Sequence, residues 1–487
     1  MNPPRSRCVL LINPPVFDLL ASGGGRHNLR ATEIMACPPM SLLYLATYLR
    51  QSQPDIRVVV KDYLVEPYSP EELRTLLRAE QPFLVGVTCF STNLHEAFAV
   101  CREAKACDPS VVVIAGGPHT LLFPKETVEQ PGIDLVCQGE GEKALDEVVS
   151  RLLSGRSLAG IANLWTKTGG AAAPPAAFQN AFDTLDEMPD TDQGFVGVER
   201  YYHPFLYNPG GLLVVATARG CPFKCTYCNS AGRQARLRGI PSIVDEIQRK
   251  VERLRTRNVF LIDDTFNITP GRLREFSQEL LRRKLAVDWA FRGRVTGLDD
   301  ESLLLARRSG LVHISIGVED FTDEGLQAIR KGITLDSVRR AFRSCRRYGV
   351  KTTANFIIGL PHNQDWDKQL RLLDLIRELR PTTIQTFVLL LIPGSELYDE
   401  AVRQGVISGE EWLRHARDPR PGFLMPGWRG NMSLEDQFRI NSLINKRFYL
   451  RPGYIWEQLL QTRSLRELVR KVQVACALLK TAWSQKG

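Results

Sequence analysis

Short apolar runs alternate with amphipathic stretches along most of this chain, and that rhythm permits few folds. In a first block the runs lie at 8–12, 57–60, 83–88, 111–115 and 135–137, with helical periodicity at 41–49, 71–79 and 94–106. Strands that alternate with helices build a parallel sheet, so the block predicts a doubly wound, Rossmann-like α/β domain. A second block repeats the pattern at 212–216, 259–262, 287–291, 312–316, 353–358 and 384–390. Six strand–helix units predict a partial (β/α)6 barrel. Between the blocks, residues 156–210 read as a connection, and Gly169-Gly170 with the Ala/Pro run to Ala177 reads as a linker by composition. The expected division is therefore 1–155, 156–210, 211–400 and an α-rich C-terminal segment 401–487. A chain of 487 residues has a prior of about three domains.

Ligands of parallel sheets bind at the carboxyl ends of the strands. In the first block those ends carry Asn13-Pro14-Pro15, Thr88 to Asn93 (with Ser91 among them), Gly116-Gly117-Pro118-His119 and Gly139-Glu140-Gly141-Glu142. In the second they carry Asp263-Asp264, Arg292-Gly293-Arg294, Gly317-Val318-Glu319 and, within the fifth strand, Asn355. After the first strand of that block comes Cys221-Pro222-Phe223-Lys224-Cys225-Thr226-Tyr227-Cys228. Three thiolates at this spacing suit three irons of a [4Fe–4S] cluster. With no fourth cysteine nearby, one iron stays open for a ligand, which points to catalysis. A structural zinc site would want four ligands.

The cysteine spacing, the aromatic Tyr227 before the last cysteine and the strand before the first resemble the radical S-adenosylmethionine superfamily. That resemblance implies a [4Fe–4S] cluster on Cys221, Cys225 and Cys228 whose open iron chelates S-adenosylmethionine, and one-electron cleavage to methionine and a deoxyadenosyl radical. Tyr227 is then expected by the adenine, Asp263 or Asp264 at the ammonium, Arg294 at the carboxylate, and Glu319 at the ribose hydroxyls. Neither aspartate matches the superfamily's usual Gly-Gly-Glu. The first block resembles the cobalamin-binding domain that precedes many such barrels, through Asn13-Pro14-Pro15, the Pro38-Pro39-Met40-Ser41-Leu42 helix entry, Gly116-Gly117-Pro118-His119 and Gly139-Glu140-Gly141-Glu142. It departs in lacking the Asp-x-His-x-x-Gly motif, so the resemblance implies cobalt without a protein ligand from that loop. His119 is either a ligand or part of a turn near the nucleotide tail.

The family implies methylation of an unactivated carbon of a small molecule by way of the deoxyadenosyl radical and methylcobalamin. Its alternatives are oxidative cyclisation or ring remodelling without methyl transfer, or RNA methylthiotransfer. A flavodoxin or ferredoxin is the expected one-electron donor. For methyl transfer, the two strand-end edges are expected to face one shared cavity.

Eleven cysteines raise the question of disulfides, but the length, the cluster motif and the lack of a signal peptide point to a reducing cytoplasm. No apolar run reaches the roughly 18 residues of a membrane span. The net charge of +9 is spread over helices such as 339–347 rather than gathered on one stripe, so nucleic acid is not expected as a partner. In the last segment Trp412, Trp428, Phe448 and Tyr449 either close the substrate cavity or pack into the core. Leu465, Leu468, Val469, Val472, Cys476 and Leu479 fall at helical spacing and predict an amphipathic helix packed on the barrel.

Overall fold

Five parallel strands open the first unit: β1 (Cys8–Asn13), β2 (Arg57–Asp62), β3 (Leu84–Thr88), β4 (Val112–Gly116) and β5 (Leu135–Cys137). Their order is β2-β1-β3-β4-β5, so the chain reverses its direction of travel across the sheet at β1. Helices Met40–Ser52, Pro70–Glu80 and Leu94–Cys107 form crossovers, and Glu142–Leu153 follows β5. Val9, Leu10, Ile12, Val85, Val113 and Val136 are sealed from solvent, as strands covered on both faces must be.

The computed structural model describes residues 7–16 and 35–460, with residues 462, 468 and 472 beyond them. It divides into two compact units, the first built from the N-terminal strand, residues 36–201 and residues 410–423. The glycine-rich stretch Ser22 to Arg26 with His27 lies outside the described residues. So does the predicted C-terminal amphipathic helix, apart from Leu468 and Val472.

The sheet does not stop at β5. It continues through β6 (Leu164–Thr168) and β7 (Ala171–Ala173), which pair antiparallel inside the stretch whose composition reads as a linker. Gly169 and Gly170 have φ of 59° and 85°, the two positive values that a two-residue type I′ turn requires. Alanines carry little strand signal, so composition hides the hairpin. Helix Glu410–Arg417 also belongs to this unit. Gln130 donates to the carbonyls of Ala416 and Arg417 at 3.2 and 2.9 Å, and His415 Nε2 lies 2.9 Å from the carbonyl of Ser91.

The second unit opens with β8 (Leu213–Val215), followed by a short ribbon of β9 (Ala218–Arg219) and β10 (Arg236–Leu237). Then come β11 (Asn258–Leu261), β12 (Asp288–Gly293), β13 (Leu311–Glu319), β14 (Lys351–Ile358) and β15 (Thr383–Val388). These and β8 form one six-stranded parallel sheet in strict chain order, the predicted partial barrel. Along β13 and β14 every second residue (Ile314, Ile316, Val318; Ala354, Phe356, Ile358) is fully buried. Alternation places Ser315, Gly317, Glu319 and Asn355 on the opposite face.

Towards the amino ends of the strands that face is packed shut. His313 Nε2 meets Thr353 Oγ1 at 2.7 Å, Thr353 meets Thr383 at 2.7 Å, and Phe205 stacks on His313 at 4.1 Å. Burial lowers His313 far below its ordinary range and His203 to about 3, so this floor is neutral. The edge strand β15 is covered by helix Leu434–Tyr449, which starts from a capping box between Ser433 and Asp436. Trp412, Trp428 and Phe448 are buried, so those aromatics pack into cores. Among the described residues no helix is long and apolar enough to cross a membrane.

Candidate functional site

The cysteine loop leaves the carboxyl end of β8 through Gly220, whose φ of 86° and 2.3 Å clearance between a would-be Cβ and the Gln234 carbonyl admit only glycine. The loop is closed on itself by Gly232 N–H to Phe223 O at 2.8 Å and Cys228 N–H to Cys225 O at 3.2 Å. Two bonds tie it outward: Thr226 N–H to Ile329 O at 3.1 Å, and Leu397 N–H to Thr226 O at 2.9 Å. All three cysteines are free thiols; Cys225 is buried, and Cys221 and Cys228 are partly so.

Beneath the loop lies a layer of buried ions that the sequence reading did not find. Glu246, Arg238 and Lys250 form an ion-paired set with side chains 0, 1 and 2% exposed. Burial alone would raise the Glu246 carboxyl, but Lys250 and Arg238 bring it below its ordinary value. Arg238 also donates to Ala216 O and Lys250 to Val214 O, which ties the set to the end of β8. Asp263, at the end of β11, accepts from Thr217 N–H at 2.6 Å, Ala218 N–H at 3.0 Å and the Thr217 hydroxyl. Burial raises its carboxyl to about 6 against these hydrogen bonds. Both of its oxygens are thus engaged in shaping the chain before the cysteines, whereas Asp264 beside it is exposed.

The predicted residues on the neighbouring strand ends gather around the loop. Arg294, after β12, lies 3.7 Å from Cys225 Sγ and 4.0 Å above the Phe223 ring. Asn267 fixes the Arg294 backbone through bonds to its N–H (2.9 Å) and carbonyl (2.8 Å). Glu319, at the end of β13, follows an irregularity in the pairing with β14 and has φ of 76°, a strained value for a side-chain-bearing residue and of a kind that clusters at functional sites. Its carboxylate accepts from Lys331 Nζ at 2.9 Å, and Lys331 also reaches the Tyr227 hydroxyl at 3.3 Å. A Cβ at Gly317 would lie 2.3 Å from that carboxylate and 2.8 Å from Lys331 Nζ, so a larger residue there would push this pair aside. Burial, Glu319 and the neighbouring thiols hold the Tyr227 phenol protonated. Asn355 donates to Ser315 at 3.0 Å and leaves its own buried oxygen without a partner. Lys331 lies in Arg330-Lys331-Gly332, away from any strand end, and so escapes a reading based on strand ends.

The donor set fits an iron–sulfur cluster. Burial raises the Cys228 thiol, and Asp264 and the other two thiols add to the effect, so thiolates here need a positive centre to face. Among the described residues no three His, Cys, Asp or Glu converge on one metal ion. A multi-iron cluster takes each thiolate on a different iron and does not need that convergence. Arg294, Glu319, Lys331 and Asn355 are the charged and polar side chains on the strand ends and loops of this unit.

At the other sheet, the predicted loops share the carboxyl edge of β1, β3, β4 and β5. Asn13 donates to Asp62 at 2.8 Å, Asp62 also accepts from Tyr201 at 2.7 Å, and Pro14 and Pro15 are buried beside it. Thr88 is buried, and Phe90, just after β3, is exposed. Gly117 has φ of 109°, and a Cβ there would lie 2.9 Å from the Cys89 carbonyl, so the β3 and β4 loops touch backbone to backbone. Gly139 has φ of 114°, Glu140 accepts from Ala181 N–H at 2.7 Å, Gly141 adjoins Leu45, and Glu142 is buried at the helix start. His119 is 1% exposed, hydrogen-bonded through Nδ1 to Ser91 Oγ at 2.8 Å and stacked on Phe123; burial lowers it to about 3. The structure therefore places it in the turn as a neutral packed ring. Its Nε2 and the Asn93 amide nitrogen are buried at this edge without partners. An apolar side chain, unsatisfied polar atoms and close-packed backbone suit a broad ligand such as cobalamin.

The Radical SAM superfamily profile matches residues 215–373, and the B12 binding domain profile matches residues 31–149. The chain is 26% identical over 478 residues to an uncharacterized methyltransferase of Pyrococcus horikoshii, covering 95% of this chain and 98% of that one. It is 31% identical over 376 residues to the anaerobic magnesium-protoporphyrin IX monomethyl ester cyclase of Rubrivivax gelatinosus, covering 74% of this chain and 66% of that one. In fold it resembles OxsB, a cobalamin-dependent S-adenosylmethionine radical enzyme solved with aqua-cobalamin and S-adenosylmethionine bound. The TM-score is 0.68 at 16% identity, over 98% of this chain and 72% of that one.

Proposed function

The chain belongs to the cobalamin-binding radical S-adenosylmethionine enzymes, and from that premise we propose that it methylates an unactivated carbon of a small-molecule substrate. The observation that carries the methyl-transfer reading is the extent of similarity. The chain spans 98% of its methyltransferase relative but 66% of the cyclase. The 31% identity to the cyclase keeps ring closure without methyl transfer as the second reading.

When bound, the cluster and cobalamin supply an electron and a methyl group respectively. The residues of the chain do the rest. Cys221, Cys225 and Cys228 hold the cluster, and the Glu246 and Asp263 networks fix the loop they stand on. Arg294 pairs with the carboxylate of S-adenosylmethionine, and exposed Asp264 faces its ammonium. Glu319, oriented by Lys331, accepts from the ribose hydroxyls, and Tyr227 packs by the adenine. The neutral floor of His203, Phe205 and His313 closes the barrel behind the substrate and keeps water from a carbon radical. In the first unit the four strand-end loops hold cobalamin. An external one-electron donor completes the set, and a cytoplasmic setting suits free thiols and a reduced cluster.

The test is product analysis with S-adenosylmethionine deuterated in its methyl group. Methylation adds a deuterated methyl to the product and consumes two molecules of S-adenosylmethionine per turnover. An unlabelled product with deoxyadenosine released would instead support the cyclase reading.

A further inference from the structure

Residues 410–423 follow the barrel strands in sequence but fold with the first unit. Their hold on it is polar and directional. His415, 6% exposed, presents Nε2 to the Ser91 carbonyl at 2.9 Å. A carbonyl can only accept, so the ring carries its hydrogen on Nε2, and burial lowers His415 below its ordinary range and keeps it neutral. Phe423 stacks on the same ring at 3.9 Å and 8°, which fixes its plane. Gln130 donates to the carbonyls of Ala416 and Arg417, groups that the last turn of helix Glu410–Arg417 leaves open. His95, in the first turn of the helix after β3, meets the Pro419 carbonyl through Nδ1 at 3.1 Å.

Ser91 is therefore held from two sides. Its hydroxyl meets His119 of the β4 turn, and its carbonyl meets His415. The loop that these bonds orient displays Phe90, which is 41% exposed, and buries the Asn93 amide nitrogen, which has no partner. We infer that residues 410–423 form a strap that sets how long cobalamin stays on the first unit, with His415 as a positioning residue acting through the Ser91 loop. The inference rests on the reading of that loop as part of the cobalamin site. His415 need not touch the cofactor. Without its donor the Ser91 carbonyl loses a bond that only the native loop conformation makes, so the loop opens more often. Each opening is a chance for cobalamin to leave.

The experiment loads the full chain with hydroxocobalamin after cluster reconstitution and follows cobalamin absorbance lost from the protein on dilution. It compares wild type, His415→Leu, His415→Gln and Gln130→Leu. Release should be about tenfold faster from His415→Leu. It should stay within about twofold of wild type in His415→Gln, whose amide nitrogen can stand where Nε2 stands. Gln130→Leu frees the strap away from the Ser91 loop and should release cobalamin about threefold faster. Iron content should be the same in all four. Equal release rates would overturn the strap. Equally fast release from His415→Gln and His415→Leu would overturn positioning through Nε2, and loss of iron together with cobalamin would mean general damage and overturn it too. If His415→Leu does not fold, Gln130→Leu decides, and a wild-type rate there would overturn the strap. A wild-type chain that takes up no cobalamin would remove the cobalamin reading itself, an outcome distinct from four equal rates.

Discussion

The parallel strands of the two sheets finish in edges of opposite construction. The end of β8 is anchored by buried charge: Glu246 between Arg238 and Lys250, and Asp263 holding Thr217 and Ala218. The ends of β3, β4 and β5 are shaped by glycine conformations and backbone approaches, with small polar side chains bridging between loops. Three thiolates must be presented at fixed separations by one short loop, and a buried ionic layer gives that loop little freedom. A broad ligand can be gripped at many points. Rigidity is concentrated where chemistry starts and distributed where a large cofactor is held.

Cys225→Ala probes the concentrated edge at its centre. Reconstituted under anaerobic conditions, the wild-type chain should hold about four irons at this loop. The variant should lose S-adenosylmethionine cleavage altogether, measured as deoxyadenosine by chromatography. Full activity would remove the cluster from this loop. Next in size is Glu246→Gln, which leaves two buried cations without a carboxylate. A loss of about 3–5 kcal/mol is expected in denaturant unfolding of the second unit. A loss below about 1 kcal/mol would mean that the ionic layer is not what fixes the β8 end.

Asp263→Asn sharpens the comparison through pH. The folded carboxyl titrates near 6, above the unfolded value of about 3.9, so the folded state binds more protons between those values. The contribution of this group to stability is therefore greatest below about pH 4 and is lost as pH rises towards 6. Thermal midpoints across pH 4 to 7 should show that slope in the wild type and a reduced slope in the variant; equal slopes would count against the raised carboxyl. The smallest effect is expected at the distributed edge. His119→Ala should leave the reduced cobalt resonance unchanged, base-off and without nitrogen splitting from the protein. A splitting present in the wild type and absent in the variant would turn this packed ring into a cobalt ligand.

Much of this was legible in the sequence because periodicity and strand ends are local signals. All eleven parallel strands lie where apolar runs predict them, and Arg294, Glu319, Tyr227 and the three cysteines meet on one edge because parallel strands bring their carboxyl ends together. Lys331 was not legible, since nothing local marks a lysine beyond a short helix as the partner of a carboxylate on β13. The Glu246 layer was hidden for the same reason: Glu246 and Lys250 read as ordinary charges on an amphipathic helix, and Arg238 as a loop charge before it, until the helix docks and buries them. Asp263 was found at its strand end, but the structure engages both of its oxygens with backbone and hydroxyl groups near β8. The β6–β7 hairpin escaped because alanine and glycine composition describes flexible chain as readily as a tight turn.

The return of residues 410–423 to the first unit sets an order of synthesis. In the second unit each strand of the sheet pairs with the one made just before or after it, so the sheet can grow as it leaves the ribosome. The first unit is made earlier but waits longer. His415 and the carbonyls of Ala416 and Arg417, which contact the Ser91 loop and Gln130, are translated only after the whole barrel. A nascent chain stopped before residue 410 would hold the cobalamin-binding sheet with its Ser91 loop uncovered.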